Sequence, residues 1–362
     1  MTLTGTLSAA GDLVVRERIF GEDGAPLDSG YGRTLDYLRR AHTVWGSLEV
    51  QFTERGYRTD SPIAYRVDAQ VAQDLGRAGF TLMTVATNHT GDFGEEGFLD
   101  TLSAMREAGV QSVGGGANLT DATAPLFHQI GDLRVATLAV SCLLPPDTAA
   151  TDERPGIAPI RIHQSTDFDP LLMLIEPGSP LPVRSVADQR DVARLCDAIA
   201  AARTEADFVL VSIHWGYGKG DRLASYQHPL AEAVVAAGAD LVLGNHTHSP
   251  GPIEFIDGVP IIYSLGNHIA QQDWASATPK QQAIFADIDE WSAVATFSLA
   301  PHRVTRIELA MTQCPRSTGL PEIIDDERAA PALDRLERLY APYGTSFDRV
   351  AARAVIHMPE AP

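Results

Sequence analysis

Residues suited to metal binding and acid–base chemistry follow short apolar runs at several places in this 362-residue chain. The segments are Gly11-Asp12, Ser47-Leu48-Glu49, Asn88-His89 with Asp92, His214-Trp215, Gly244-Asn245-His246-Thr247-His248 and Leu265-Gly266-Asn267-His268. In open α/β sheets, ligands bind outside the carboxyl ends of the strands. We therefore expect side chains from these segments to converge on one site.

The strongest single signal is the pair His246 and His248, which are separated by one residue. Side chains two positions apart share a face of an extended strand, so both imidazoles can bind one ion or be divided between two. Taken alone, an Asp after a glycine is more often a turn or a helix cap, and an isolated His is more often an ordinary polar residue. The coincidence of several segments of one design favours a metal site.

His89 and Asp92 form a second candidate unit, because a carboxylate three residues away is able to orient an imidazole and raise its basicity. Imidazole titrates near neutral pH, with a reference pKa of roughly 6.5, which suits it to proton transfer. The spacing therefore predicts an acid–base pair beside the metal site.

The elements that must position these residues alternate between strands and helices. We predict strands at Thr4–Val15, Val44–Phe52, Phe80–Ala86, Val110–Val113, Leu133–Val140, Phe208–Ile213 and Leu241–Gly244. Helices are predicted at Tyr31–Ala41, Asp68–Ala78, Glu95–Ala108, Val186–Arg203 and Leu230–Ala237, and a hairpin is predicted to turn at Asp257-Gly258. This alternation is typical of a layered α/β protein.

Two segments depart from the alternation. Prolines recur between residues 143 and 185, which predicts either a lid over the site or an inert surface loop inserted in the domain. We expect one catalytic domain over residues 1–325, with a C-terminal helical extension, residues 326–362, packed on it.

Composition excludes several functional classes. The net charge of −19 argues against nucleic acid as a partner, because phosphate binding needs a basic face. No stretch approaches the roughly 18 to 20 apolar residues of a membrane span, and the first residues lack the pattern of a secretion signal. We therefore expect a cytoplasmic protein without a membrane partner. The three cysteines lie far apart and are expected to be reduced buried thiols.

Three stretches together resemble the CapA, or poly-γ-glutamate-synthesis, family of the calcineurin-like metallophosphatase superfamily. They are VATNHTGDFGEEGFLDTLSAMREAGVQSVGGG, VSIHWGYG and AGADLVLGNHTHSPGPIEFIDGVPIIYSLGN, and matching motifs run from Gly11 to about His268. The resemblance implies an α/β calcineurin-like layered β-sandwich, with two central mixed sheets flanked by helices and a metal site at one edge.

The resemblance also implies roles for individual residues. The metal-site positions of the superfamily are matched by Asp12, Glu49, Asn88, His214, His246 and His248, and His89 matches the general acid beside the metals. Oxygen and imidazole donors suit hard or borderline divalent ions; Ca²⁺ would suffice, and Mn²⁺ and Zn²⁺ are alternatives. The chain departs from the superfamily pattern at Val14, where a ligand histidine is usual, and at His268, where relatives carry Phe.

Three functions follow as hypotheses. The first is a metal-dependent peptide epimerase that inverts the Cα of the C-terminal residue of a lasso-type precursor peptide. Its acid–base pairs would be His89 with Asp92, and Asp12 with His248 or His268. The residues expected to contact the peptide are Trp215, Tyr217, Lys219, Arg222 and Trp274. The second is a metallophosphatase or phosphodiesterase acting on a small ester, and the third is an accessory protein of polymer synthesis.

Overall fold

The computed structural model describes residues 4–166, 168–272, 276–286 and 288–359. Its strands in the first half are β1 (Gly5–Val14), β2 (Thr43–Leu48), β3 (Gln51–Phe52), β4 (Arg66–Val67), β5 (Leu82–Thr84), β6 (Gln111–Val113), β7 (Gly115–Gly116), β8 (Leu126–Ile130), β9 (Leu133–Ser141), β10 (Gly156–Ile157), β11 (Ile162–Thr166) and β12 (Val183–Ala187). The later strands are β13 (Phe208–His214), β14 (Leu241–Asn245), β15 (Ile253–Ile256), β16 (Val259–Ile262), β17 (Asn267–Ala270), β18 (Trp291–Ala300), β19 (Arg303–Gln313), β20 (Glu322–Ile323), β21 (Phe347–Arg349) and β22 (Arg353–Ile356).

The helices are α1 (Ser29–Leu38), α2 (Gln70–Ala78), α3 (Gly94–Glu107), α4 (Leu119–Thr123), α5 (Pro170–Ile175), α6 (Gln189–Arg203), α7 (Gln227–Ala237), α8 (Pro279–Phe285) and α9 (Asp326–Tyr340), followed by a 3-10 turn at Ala341–Tyr343. Within the described ranges, no helix is long and apolar enough to cross a bilayer. The expected alternation of strands and helices, including the hairpin at Asp257-Gly258, is confirmed.

Two mixed sheets form the centre of the molecule, as the layered α/β class predicts. The larger has ten strands, ordered β21-β22-β19-β18-β1-β2-β5-β6, with β17 beside β1 and β20 beside β19. The smaller has six, ordered β15-β16-β14-β13-β9-β8. In each sheet the central strands that precede the candidate residues run parallel, so their carboxyl ends share an edge.

Successive side chains on the strands point to opposite faces, and the two faces contribute to two different apolar cores. Leu210 on β13 belongs to a core that also contains Leu7 and Phe297 of the larger sheet, so this core joins the two sheets. The neighbouring residues Val209 and Val211 face the other way, into a second core beneath α6 and α7. His214 lies an even number of residues from Leu210 and therefore points toward the side of the larger sheet.

The C-terminal residues differ from the predicted helical extension. Helix α9 packs Leu333 and Leu336 into the main core, but the chain then returns as β21 and β22. Strand β22 pairs with β19, placing Ala354 opposite Leu309 in the ten-stranded sheet. The predicted helical extension is therefore helical over Asp326–Tyr340, and its last part is a strand pair instead. The strands are short and follow a break at Pro342, which concealed their alternation.

The proline-rich segment contains regular structure that its composition did not predict. Strands β11 and β12 form an antiparallel hairpin that carries α5 between them, and α5 buries none of its residues. We refer to residues 162–166 and 168–187 as the hairpin arm. Before it, β10 pairs with β7, which fastens the first part of the segment to the body of the protein.

Candidate metal centre

The strands deliver the candidate ligands from both sheets to one edge. Asp12 lies near the end of β1, and Glu49 directly follows β2. Asn88 follows β5, His214 is the last residue of β13, and His246 directly follows β14. The convergence expected from the sequence is therefore present in the structure.

The buried centre of the cluster is formed by Asp12, Glu49 and His214, whose candidate ligand atoms all lie within 4.8 Å of one another. His214 Nε2 is 3.3 Å from Oε1 of Glu49 and 2.7 Å from Oδ1 of Asn88. Asp12 Oδ1, both carboxylate oxygens of Glu49 and Nδ1 of His246 are buried and have no hydrogen-bond partner among the described residues. Burying carboxylate oxygens unpaired is costly, and a divalent cation would satisfy them. These residues fit a metal ion.

The protonation of His214 follows from its neighbours. Its Nδ1 contacts Oδ1 of Asn245, and the amide nitrogen of Asn245 donates to Ser212 Oγ at 3.2 Å, which orients the amide oxygen toward His214. Burial lowers the pKa of His214 well below its ordinary value, so the ring is neutral and carries one N–H. Amide oxygens lie beside both ring nitrogens, Asn245 at Nδ1 and Asn88 at Nε2. When the N–H is on Nδ1 and is donated to Asn245, the lone pair on Nε2 is available to a cation held beside Glu49 and Asn88. This is the arrangement of a metal-ligating histidine held by an outer partner.

His246 and His248 reach the cluster through unusual backbone. Their φ angles are 104° and 53°, in the left-handed region that residues other than glycine rarely adopt. The backbone N–H of His246 donates to Oδ2 of Asp12 at 2.9 Å, which fixes this turn over β1. Such strain persists only where surrounding contacts enforce it, and it is concentrated at functional sites. The extended His-x-His geometry assumed from the sequence is therefore replaced by a turn, although both rings still meet the cluster.

Gly11 permits the close approach of β1 to the segment before β17. A Cβ atom at Gly11 would lie 1.7 Å from the carbonyl oxygen of Gly266. The N–H of Asp12 donates to that same carbonyl oxygen at 3.0 Å. A side chain at position 11 would therefore displace Asp12 from the cluster.

Two histidine–carboxylate pairs form the outer boundary of the cluster. His89 Nδ1 lies 3.0 Å from Oδ2 of Asp92, and His89 Nε2 lies 4.0 Å from Glu49. His248 Nδ1 lies 3.5 Å from Oδ2 of Asp12 and 2.8 Å from Oδ1 of Asn267. The side chains of His89 and His248 are 11% and 17% exposed, whereas those of Asp12, Glu49 and His214 are fully buried. These two imidazoles are therefore accessible from solvent, as are the partly exposed residues Asn88 and His246.

Burial dominates the electrostatics of the cluster. It raises the pKa of Asp12 and raises the pKa of Glu49 well above its ordinary value; the neighbouring charge of His248 partly offsets the shift at Asp12. Burial lowers the pKa of His246 to about 3 and also lowers the pKa of His248. Without a cation, burial thus disfavours the charged forms of Asp12, Glu49, His246 and His248, and a bound cation would favour the two carboxylates.

His268 does not join the cluster, so its proposed catalytic role is corrected. Its neighbour Asn267 faces the site, and His268 points to the opposite face of β17, where its ring packs 5.9 Å from Tyr31 and 5.7 Å from Phe80. Burial lowers the pKa of His268 to about 3, and its Nε2 has no hydrogen-bond partner among the described residues. It is a core residue.

The structure places the predicted peptide-contacting residues in different surroundings. Trp215 is fully buried, stacks on Tyr263 at 5.2 Å and donates from Nε1 to the Tyr263 carbonyl, so the prediction that it contacts substrate is wrong. Tyr217 is exposed on the loop after β13, and Lys219 and Arg222 follow on that loop, where their substrate contacts stay a prediction. Trp274 lies outside the described residues.

Sequence reasoning missed two orienting residues, Asn245 and Asn267, which accept from His214 and His248. Each stands in a Gly-Asn-His triplet, and the repetition of that triplet was the available signal. Val14, two residues after Asp12, is buried and offers no ligand atom. The cluster therefore lacks the imidazole that a histidine at this position would supply.

Comparisons with known proteins agree with this architecture. The family model described as "Bacterial capsule synthesis protein PGA_cap" matches residues 6–272. Among curated proteins, "Capsule biosynthesis protein CapA" of Bacillus anthracis is 28% identical over 242 residues, covering 66% of this chain and 53% of that protein. "PGA biosynthesis protein CapA" of Bacillus subtilis is 29% identical over 273 residues, covering 74% and 63%.

A mycobacterial relative is somewhat more similar. "Probable polyglutamine synthesis accessory protein" of Mycobacterium tuberculosis is 32% identical over 268 residues, which cover 72% of this chain and 64% of that protein. The chain thus spans between about half and two thirds of the length of these curated relatives. Residues 6–272, which the family model matches, include the strands that carry the cluster.

Proposed function

Because the chain belongs to the bacterial capsule synthesis protein family PGA_cap and has its calcineurin-like fold, we propose that it is a metal-dependent enzyme that transfers protons on a peptide-type chain of amino acids. The names of the curated relatives refer to capsule, polyglutamate or polyglutamine synthesis, which motivates an amino-acid polymer or peptide as substrate. The observation that carries the proposal is the pair of histidine–carboxylate contacts, His89 with Asp92 and His248 with Asp12, on the exposed side of the buried cluster.

The ion would be held by Asp12, Glu49, Asn88, His214 and His246. Once bound, a divalent cation would stabilise negative charge that develops on a substrate carbonyl oxygen. Oxygen donors suit Ca²⁺ or Mn²⁺, whereas the imidazoles suit Mn²⁺ or Zn²⁺. The identity of the ion is therefore a matter for metal analysis of the purified protein.

The finer proposal is inversion at Cα of the C-terminal residue of a precursor peptide. Inversion requires one group to remove the α-proton and another to return a proton on the opposite face. Asp92 holds the His89 proton on Nδ1, so Nε2 is free to accept the α-proton. His248, in its doubly protonated imidazolium form, would return a proton from the other side of the substrate. The step would leave His89 protonated and His248 neutral, and proton exchange with solvent would restore both; the reaction involves no net change in oxidation state.

A second candidate, phosphoester hydrolysis, is favoured by the fold and by the position of His89, 4.0 Å from Glu49, where it could protonate a leaving oxygen. The buried Val14 counts against it, since a dinuclear clamp for phosphoryl transfer needs a full set of ligands on both ions. A third candidate is the accessory role in polymer synthesis that the name of the mycobacterial relative states.

One experiment separates these candidates. The metal-loaded protein is incubated in D₂O with a panel of peptides that differ at the C-terminal residue, and Cα deuterium is measured by mass spectrometry. In parallel, p-nitrophenyl phosphate and its bis-ester report phosphoester hydrolysis. Cα exchange that disappears in His89→Gln and is retained in Asp100→Asn, a surface carboxylate paired with Arg55, is the expected result.

Other outcomes assign the site differently. Ester hydrolysis abolished by His89→Gln, without Cα exchange, would replace the epimerase proposal with the phosphoesterase. A protein that binds metal but is inactive in both assays would favour the accessory role.

A further inference from the structure

A cleft of about 650 Å³ opens between the hairpin arm and the loop that follows β13. Its walls are mainly apolar and include Leu143, Ile162, Val183, Tyr217, Leu223 and Tyr226. A cleft of this size and character is typical of sites that take an apolar part of a ligand.

The cleft adjoins the metal centre but lies on the other face of β13. Cys142, which lines the cleft, donates its backbone N–H to the carbonyl oxygen of His214 at 2.8 Å. Gly216, which also lines the cleft, is so close to Thr247 that a Cβ there would lie 3.1 Å from the Thr247 side chain. Because the His214 ring points to the opposite face, the cleft is placed to hold a part of the substrate that does not react.

One face of the hairpin arm forms the outer wall of the cleft. Ile162 and Gln164 on β11, together with Val183 and Ser185 on β12, all line the cleft. Residues two apart on a strand share a face, so these four form one surface. The Ser185 N–H donates to Ser225 Oγ at 2.7 Å, which fastens the arm to the opposite wall.

The exposed end of the arm is unusually apolar. Of the twelve large apolar residues that are exposed in the described part of the chain, six lie between residues 168 and 186. They include Leu174, which is 80% exposed, and Val183, which also lines the cleft. A concentration of this kind marks a binding surface, and the shared residue Val183 makes it continuous with the cleft.

We propose that the cleft and the apolar end of the hairpin arm bind an apolar segment of the peptide substrate, several residues away from the reacting residue. This inference rests on the proposed function, because it takes the substrate to be a peptide. The net charge of −19 and the apolar lining both disfavour a polyanionic chain as the occupant of this cleft. The peptide would therefore bring Leu-, Ile- or Phe-type side chains rather than a run of carboxylates.

The test uses the full, metal-loaded chain and two fluorescein-labelled probes, an octapeptide of alternating Leu and Ser and a decamer of γ-linked glutamate. Fluorescence anisotropy should show binding of the Leu/Ser octapeptide and weaker or no binding of the glutamate decamer. Val183→Glu and Leu174→Glu should each weaken octapeptide binding by about tenfold, the loss expected when an apolar contact is replaced by a charge. Val350→Glu, an exposed apolar position outside the arm, is the matched control and should bind like the unaltered protein.

The failure of this inference differs from failure of the proposed function. Octapeptide binding that survives His89→Gln and metal removal supports the cleft even if Cα exchange is never found. Cα exchange with undiminished peptide binding in both arm variants would overturn the cleft proposal alone. Stronger binding of the glutamate decamer than of the octapeptide would also overturn it. So would a Leu174→Glu variant that binds the octapeptide normally and differs from the unaltered protein only in its sedimentation coefficient or only in its binding to lipid vesicles.

Discussion

The Nδ1 atom of His89 lies 3.0 Å from Oδ2 of Asp92. The same carboxylate oxygen accepts the backbone N–H of Tyr65 at 2.9 Å, so Asp92 is held in place independently of the histidine. The contact determines which ring nitrogen carries the proton and which faces the cluster. Under the proposed function, Asp92 is therefore a positioning residue for the acid–base chemistry of His89.

Asp92→Asn is expected to lower activity by about 10- to 100-fold, the usual effect of losing an outer partner of a functional imidazole. The amide oxygen can still accept from Tyr65, so the thermal midpoint should change little. The measurement is the dependence of the rate on pH. The pH range over which the rate depends on His89 should shift. Asp100→Asn serves as the control, and an unaltered profile in Asp92→Asn would remove the assigned role.

Asn245→Leu is expected to weaken divalent metal binding by about 10- to 100-fold, because the ring of His214 loses the acceptor that fixes its Nδ1 proton. Isothermal titration with Ca²⁺, Mn²⁺ and Zn²⁺ measures the change. The control is Asn118→Ala, which removes the N-cap of α4 and should reduce stability without altering metal affinity. Equal losses of metal affinity in Asn245→Leu and Asn118→Ala would indicate a general effect on folding.

Metal affinity is expected to rise with pH, with proton release on binding. Burial raises the pKa of Glu49 above its unfolded value, so the metal-free folded state keeps a proton that the unfolded chain loses. The stability of the metal-free protein contributed by this group therefore falls as pH rises above about 4.5 toward the raised pKa. Titration calorimetry in buffers of different ionisation enthalpy measures the protons released, and Glu49→Gln should release fewer.

His128 is expected to make the protein sensitive to acid. Burial lowers its pKa to about 4, whereas an unfolded histidine titrates near 6.5. The unfolded state thus binds more protons, and stability is lost as pH falls from about 6.5 toward 4. Urea unfolding at pH 7 and pH 5 should show a smaller loss in His128→Gln than in the unaltered protein. His42→Gln, at an exposed position, should show the full loss.

His268→Phe is expected to leave activity within about twofold of the starting value and to raise the free energy of unfolding by about 1 kcal/mol. The ring lies between Tyr31 and Phe80 with a buried nitrogen that lacks a partner, and removing such a group relieves its desolvation cost. Activity and urea unfolding are measured together. A large loss of activity in His268→Phe without a loss of stability would instead support the catalytic role first predicted for His268.

The sequence was sufficient to place the ligands at strand ends but not to choose between neighbouring residues. Asn267 and His268 are adjacent, as are His214 and Trp215, and in each pair one side chain enters the site while the other enters a core. Which face of a terminal strand residue points inward depends on register and on local bulges, such as the shift between Asp12 and Leu13. These depend on contacts with strands far away in the chain, which periodicity does not report.

The C-terminal strands and the hairpin arm were not predicted from the sequence, for a related reason. Strand β22 has four residues, and its place in the sheet depends on β19, which precedes it by a whole helix. The arm lies in a proline-rich segment whose composition resembles an irregular loop. Short strands with distant partners carry little local signal.

The cluster takes its ligands from both sheets, and β1, which carries Asp12, is bordered by β2 on one side and by β17 and β18 on the other. Gly5 pairs with Leu299, so β1 obtains all of its neighbouring strands only after β18 has been synthesised. The candidate ligands extend from Asp12 to His246, 234 positions apart, so the set is complete only after β14 has been synthesised.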